Sequence, residues 1–109
     1  MKYLQVTFPD GKVFLIPMDV IAGKRADKEA HKHADQLFDG DKLRWKELYN
    51  RSFDDEYDFG MQYPELLLEY AFCDIIWDDV KDYAIADGEI TCDYNSVWTK
   101  VPASFIELE

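Results

Sequence analysis

Residues 2 to 8, KYLQVTF, alternate strictly: Leu4, Val6 and Phe8 fall on one side, and Tyr3, Gln5 and Thr7 on the other. A period of two predicts a strand with one buried face. Pro9-Asp10-Gly11-Lys12 supplies turn chemistry, Pro presetting φ and Gly accepting positive φ. The run Lys12-Val13-Phe14-Leu15-Ile16 is again β-rich until Pro17 ends it. The two runs together predict an N-terminal hairpin.

Beyond Pro17 the period changes. Ala22, Ala26, Ala30, Ala34 and Phe38 recur every fourth residue with Leu37 beside them, while Lys24, Lys28, Lys32 and Asp35 fall elsewhere. This predicts a helix whose small apolar stripe suits close packing against a sheet, with Asp19 accepting from the free amides at its start. Gly23 weakens its first turn by about 1 kcal/mol relative to Ala. Phe38-Asp39-Gly40-Asp41 closes this helix, and Asp41 caps a second, roughly 42 to 52, in which Trp45, Leu48, Tyr49 and Phe53 oppose Arg44, Glu47 and Arg51. The stretch FDDEYDFG then reads as a loop ending at Gly60. Pro64, at the first position of a third helix, forgoes an amide that would be unpaired there, and Glu65 favours the positive end of the dipole. Leu66, Leu67, Leu68, Tyr70, Ala71 and Phe72 make that third helix the most buried one expected.

Trp77 precedes Asp78-Asp79-Val80-Lys81, which reads as a cap and a short helical turn. Residues 83 to 86, 89 to 94 and 96 to 101 read as short strands around an Asp87-Gly88 hairpin turn, interrupted at Pro102. The order of elements predicts one α+β domain over residues 1 to 109. It combines a mainly antiparallel sheet, formed by the N-terminal hairpin and the C-terminal short strands, with about three helices packed on one side.

Charge alters this picture more than size does. The 109 residues carry a formal net charge of −11, with 48% hydrophobic and 16% aromatic residues, which places the acidity on a folded surface rather than a disordered chain. Residues 1 to 51 hold ten basic and eight acidic side chains; residues 52 to 99 hold thirteen acidic side chains and one base, Lys81. So local an excess repels itself, and points to a partner or to solubility. It argues against direct nucleic-acid binding, which needs a basic footprint. The sequence has no apolar run long enough to span a membrane, and MKYLQVTFPDG lacks the features of a secretory signal, so the expected location is the cytosol.

Dedicated chemistry finds little support. No glycine register fits a calcium loop, and His31 and His33 point about 200° apart on a helix, so they cannot share a metal. On the helix His33 is expected to be partly buried and hydrogen-bonded, and His31 at the surface. Cys73 and Cys92 read as reduced, buried thiols. No nucleophile elbow, glycine-rich phosphate loop or placeable Cys–His pair is present. The expectation is a protein without catalytic, cofactor or metal residues. Trp45 and Trp77 read as core, whereas Tyr57, Phe59, Tyr63 and Tyr94, set among carboxylates, read as surface aromatics. Aromatic residues beside charge suit a binding hot spot. The candidate partner-binding residues are therefore Asp54, Asp55, Glu56, Tyr57, Asp58, Phe59, Asp78, Asp79 and Asp82, with Tyr57 and Phe59 as anchors and the carboxylates steering a basic surface. Solvation alone is the competing explanation of the acidity. A self-associating structural or assembly protein is another, with the apolar 66 to 77 stretch as the homomeric contact, and a small enzyme using paired carboxylates in a cleft is a third.

VTFPDGKVFLIPMDVIAGKRA and LLEYAFCDIIWDDVKDYAI resemble a group of small acidic proteins encoded by phages and prophages. The resemblance is carried by Ile21-Ala22, Arg25-Ala26, Trp77, Asp79-Val80 and Tyr83-Ala84. It covers about half the chain and leaves residues 86 to 109 unmatched. Such proteins include anti-CRISPR and other anti-defence inhibitors, some of which mimic DNA. The resemblance thus implies an inhibitor in the host cytoplasm whose partner is a host nucleic-acid-binding protein such as a CRISPR effector.

Overall fold

The computed structural model describes residues 2–86, 94 and 96–108. Strands β1 (Lys2–Thr7) and β2 (Val13–Pro17) form the expected hairpin, with Leu4 opposite Ile16 and Val6 opposite Phe14. Gly11 takes φ +86° in the turn, where a side chain would be strained. Strand β4 (Ala103–Glu107) pairs antiparallel with β1 on its other side, and the two-residue β3 (Ile85–Ala86) pairs with β2. Among the described residues the result is a four-stranded antiparallel sheet of order β3-β2-β1-β4. Its buried face carries Leu4, Val6, Phe14 and Ile16, matching the period of two.

Among the described residues, four helices complete the α+β fold: α1 (Met18–Gln36), α2 (Lys42–Gln62), α3 (Pro64–Cys73) and the single turn α4 (Trp77–Val80). The core joins the sheet to Met18, Ile21 and Ala22 of α1, Leu67 and Ala71 of α3, and Ile75, Trp77, Val80, Tyr94, Trp98 and Val101. An aromatic cluster fills its centre. Tyr94 stacks on Phe8 at 3.9 Å, and Phe8 and Phe14 each meet Trp77 edge-on at 5.1 Å. Side chains of this size stabilise by about 1.5–3 kcal/mol each when fully buried.

Ala26, Ala30 and Ala34 are fully buried but lie outside that core. They pack against α2, not the sheet, and their small size lets the two helix axes approach closely. The antiparallel pair α1–α2 extends past the sheet and gives the molecule its long dimension, 50 × 29 × 20 Å.

Several expectations are corrected. The second helix runs to Gln62, so FDDEYDFG is helical and not a loop. Helix α1 starts at Met18 with no side-chain cap, and Asp19 sits in its first turn. Helix α1, with six buried residues, buries more side chains than α3, with two. The 66 to 77 stretch spends Leu67, Ala71, Ile75 and Trp77 on the core and leaves Ile76 exposed. Cys73 is exposed, and Cys92 lies outside the described residues. Residues 98–100 form a 3-10 turn rather than a strand, while the strand β4 beyond Pro102 was not expected. The Asp87-Gly88 turn and residues 89 to 93 of the expected 89 to 94 strand fall outside the described residues, and Tyr94 is not in a strand.

Candidate partner-binding surface

The acidic stretch is helical because its other face is a packing face. Asp41 caps α2, accepting from the amides of Leu43 at 3.0 Å and Arg44 at 3.3 Å, as its position predicts. Trp45, Tyr49, Phe53 and Tyr57 then recur every fourth residue, and successive rings lie 5.5, 6.1 and 6.3 Å apart. Helix α1 holds this ladder with polar pins. Trp45 Nε1 donates to Asp35 at 2.9 Å, the Tyr49 hydroxyl donates to Asp27, and the His33 ring bonds Ser52 Oγ at 2.8 Å. Bonding to Asp27, with some burial, pushes Tyr49 up to about 12. Trp45 is thus a half-buried rung outside the core, and both His31 and His33 are exposed.

At the acidic end the pin is Arg25, whose guanidinium meets the Glu56 carboxylate at 3.1 Å and donates to the Glu56 carbonyl oxygen at 3.2 Å. The same guanidinium lies 5.8 Å from the Phe59 ring centre. Glu56 is therefore neutralised within the molecule. Tyr57 is half-buried against the core, and its hydroxyl is raised by burial first, then by the charges of Asp19 and Asp58. Neither residue is a free anchor. Asp54, Asp55 and Asp58 are exposed and have no ion-pair or hydrogen-bond partner among the described residues. Phe59 is 45% exposed and lies beside Tyr63 at 4.8 Å, so at this end of α2 these two aromatics face solvent. Tyr94, expected at the surface, is buried.

The second acidic group sits on α4 and the 3-10 turn that follows, Lys81–Tyr83. Asp78 pairs with Lys81 at 3.1 Å, and Asp79 accepts from the Ile76 amide at 3.0 Å, capping α4. Asp82 is exposed without a partner among the described residues. A surface groove lies on α1 between Phe53 and Tyr83, which neighbour the two groups in sequence. Its floor is Asp19, Val20, Gly23, Lys24 and Asp27 of α1, with Phe53 on one wall and Tyr83 on the other. Asp54 follows Phe53 and Asp82 precedes Tyr83, so the two acidic segments flank the same part of α1.

Asp19 and Asp27 join this groove although they belong to the half of the chain with a basic excess, and helical period was the signal that could have placed them. Glu65 and Glu69, one turn apart on α3, add exposed charge. No group of three or more His, Cys, Asp or Glu among the described residues is placed to hold a metal ion. No helix among them is long and apolar enough to cross a membrane. Comparison with protein-family models, with curated proteins and with solved structures finds no match to this chain.

Proposed function

We propose that the protein acts by stoichiometric binding, its acidic surface occupying the basic nucleic-acid site of a host protein in the cytoplasm, in the manner of a phage anti-defence inhibitor of the anti-CRISPR type. The observation that carries this reading is the state of Asp54, Asp55 and Asp58: exposed, unpaired among the described residues, and fixed on a helix that Arg25 and the aromatic ladder clamp in place. Three charges in five helical residues amount to about one per 2.5 Å of axis, near the one per roughly 1.7 Å of duplex DNA. A rigid array of that density satisfies a Lys/Arg groove without paying to order a loop. Asp82 and the Phe59–Tyr63 pair extend the surface on either side. Resemblance to small acidic phage proteins supports the choice of partner class.

The test is affinity capture from host lysate at low and raised salt, with Asp54, Asp55 and Asp58 all changed to Lys in a parallel bait. The expected result is salt-sensitive capture of a nucleic-acid-binding protein by the wild type and its loss in the reversed bait. Capture that survives the triple reversal would overturn the reading.

A further inference from the structure

Helix α2 carries a second pattern on its outer flank. Starting at Lys42, every fourth residue reads Lys42, Lys46, Asn50, Asp54, Asp58: two cations, an amide and two anions. All five are exposed, and none has an ion-pair or hydrogen-bond partner for its side chain among the described residues. Some neighbouring charges on the same helix pair are spent internally, while Glu47, Arg51 and Asp55 of α2 are exposed like the row itself. Asp35 holds Trp45, Asp39 holds Arg44 at 3.3 Å, Asp41 caps the helix and Glu56 holds Arg25. The row is thus left open, and it sums to zero in a chain of net charge −11.

Residues four apart form a surface ridge inclined about 26° to the helix axis, and two such ridges interdigitate when helices cross at about 50°. A ridge whose charges run positive to negative about a neutral middle is its own complement under a two-fold rotation through that middle. We propose that α2 pairs with α2 of a second copy of this chain, antiparallel and crossing at Asn50. Lys46 of each copy meets Asp54 of the other, the two Asn50 amides donate to and accept from one another, and Lys42 and Asp58 approach at the flanks. Leu43, 75% exposed, lies one turn before Lys46 on this face and gains apolar cover from the partner helix. Reversal of sign about Asn50 closes the contact on itself, so it yields a dimer and not a filament.

Because the contact is ionic and lies at the surface, it weakens with salt. It also covers Asp54, so a dimer and a complex with a basic partner exclude each other. The dimer itself needs no host protein, and its test stands apart from the binding reading above.

The test is the mass of the full chain in solution, by sedimentation equilibrium over a range of concentrations, for the wild type, K46D, D54K, the double variant K46D/D54K, and an equimolar mixture of the two single variants. Circular dichroism of each variant checks the fold. The expected result is a dimer for the wild type, with a dissociation constant that rises about tenfold or more between low and molar salt. Each single variant sets like charges opposite one another and is monomeric. The double variant dimerises again, and the mixture of singles forms a heterodimer. A wild type that stays monomeric at millimolar concentration would overturn the proposal, as would a dimer whose mass neither single reversal changes.

Discussion

Arg25 reaches from α1 to α2 and bonds Glu56 twice, through the carboxylate at 3.1 Å and the backbone carbonyl at 3.2 Å. The side chains are only 14% and 22% exposed, so water screens the pair less than it would a surface ion pair. Replacing Arg25 with Met leaves a carboxylate and a carbonyl short of a donor. The expected loss is about 2 kcal/mol in denaturant unfolding, with a smaller loss for Glu56→Gln, which keeps an acceptor. A loss below about 0.5 kcal/mol for Arg25→Met would mean that the pair behaves as a solvated one.

Two helical glycines should respond in opposite directions to the same change. A Cβ at Gly23 would meet nothing within 4 Å, so Gly23→Ala gains helix propensity and raises stability by about 1 kcal/mol. At Gly60 the added methyl would lie 2.9 Å from Cδ2 of Leu67, which is fully buried. Overpacking there costs about 1–3 kcal/mol and exceeds the propensity gain, so Gly60→Ala lowers stability. Thermal unfolding of the two variants beside the wild type decides the matter; equal shifts of one sign would contradict the packing described for α2 on α3.

Alkaline pH probes the bond from Tyr49 to Asp27. The folded state holds the Tyr49 proton to about 12, whereas the unfolded chain releases it near the ordinary tyrosine value of 10.0. The contribution is present below pH 10 and is lost as pH rises towards 12, because the unfolded state then binds fewer protons. Tyr57 and Tyr70 are also raised, by burial first, so ultraviolet titration should show several late tyrosines, of which the one released near pH 12 disappears in Tyr49→Phe; the variant should lose less stability than the wild type across that interval. A titration curve unchanged in the variant would assign the tyrosine released near pH 12 elsewhere.

Acid pH probes a contact spanning most of the chain. The Tyr94 hydroxyl donates to Asp10 at 2.5 Å, and this bond, with one from the Lys12 amide, holds the Asp10 carboxyl below its ordinary value. Stabilisation from a depressed carboxylate is present above its unfolded pKa and lost as pH falls through the folded one. Tyr94→Phe should therefore lower the melting temperature at neutral pH and flatten its decline below about pH 4. A parallel decline in both proteins would remove the bond from the account.

The hairpin, the alanine stripe, the Asp41 cap and the Pro64 start were legible because each rests on local chemistry. The extent of α2 was legible in part. Trp45, Tyr49 and Phe53 announce a period of four that Tyr57 continues, but four carboxylates and Gly60 read as loop chemistry. What outweighs them is tertiary: Arg25 neutralises Glu56, and Leu67 fills the space that a side chain at residue 60 would need. Strand β4 and buried Tyr94 were hidden for a similar reason. Their partners, β1 and Phe8, lie at the opposite end of the chain, and no local period records such a contact. For the candidate surface, charge counting found Asp54, Asp55, Asp58 and Asp82, while only the fold shows Glu56 and Tyr57 turned inward and Asp19 and Asp27 brought to the groove.

The claim that the acidic helix stands in for nucleic acid is tested most directly by displacement. The host protein recovered by affinity capture would be loaded with labelled duplex, and release followed as this protein is added. The account predicts release complete near one equivalent, suppressed by salt and absent when Asp54, Asp55 and Asp58 are all Lys. Formation of a ternary complex in which the duplex stays bound would contradict it.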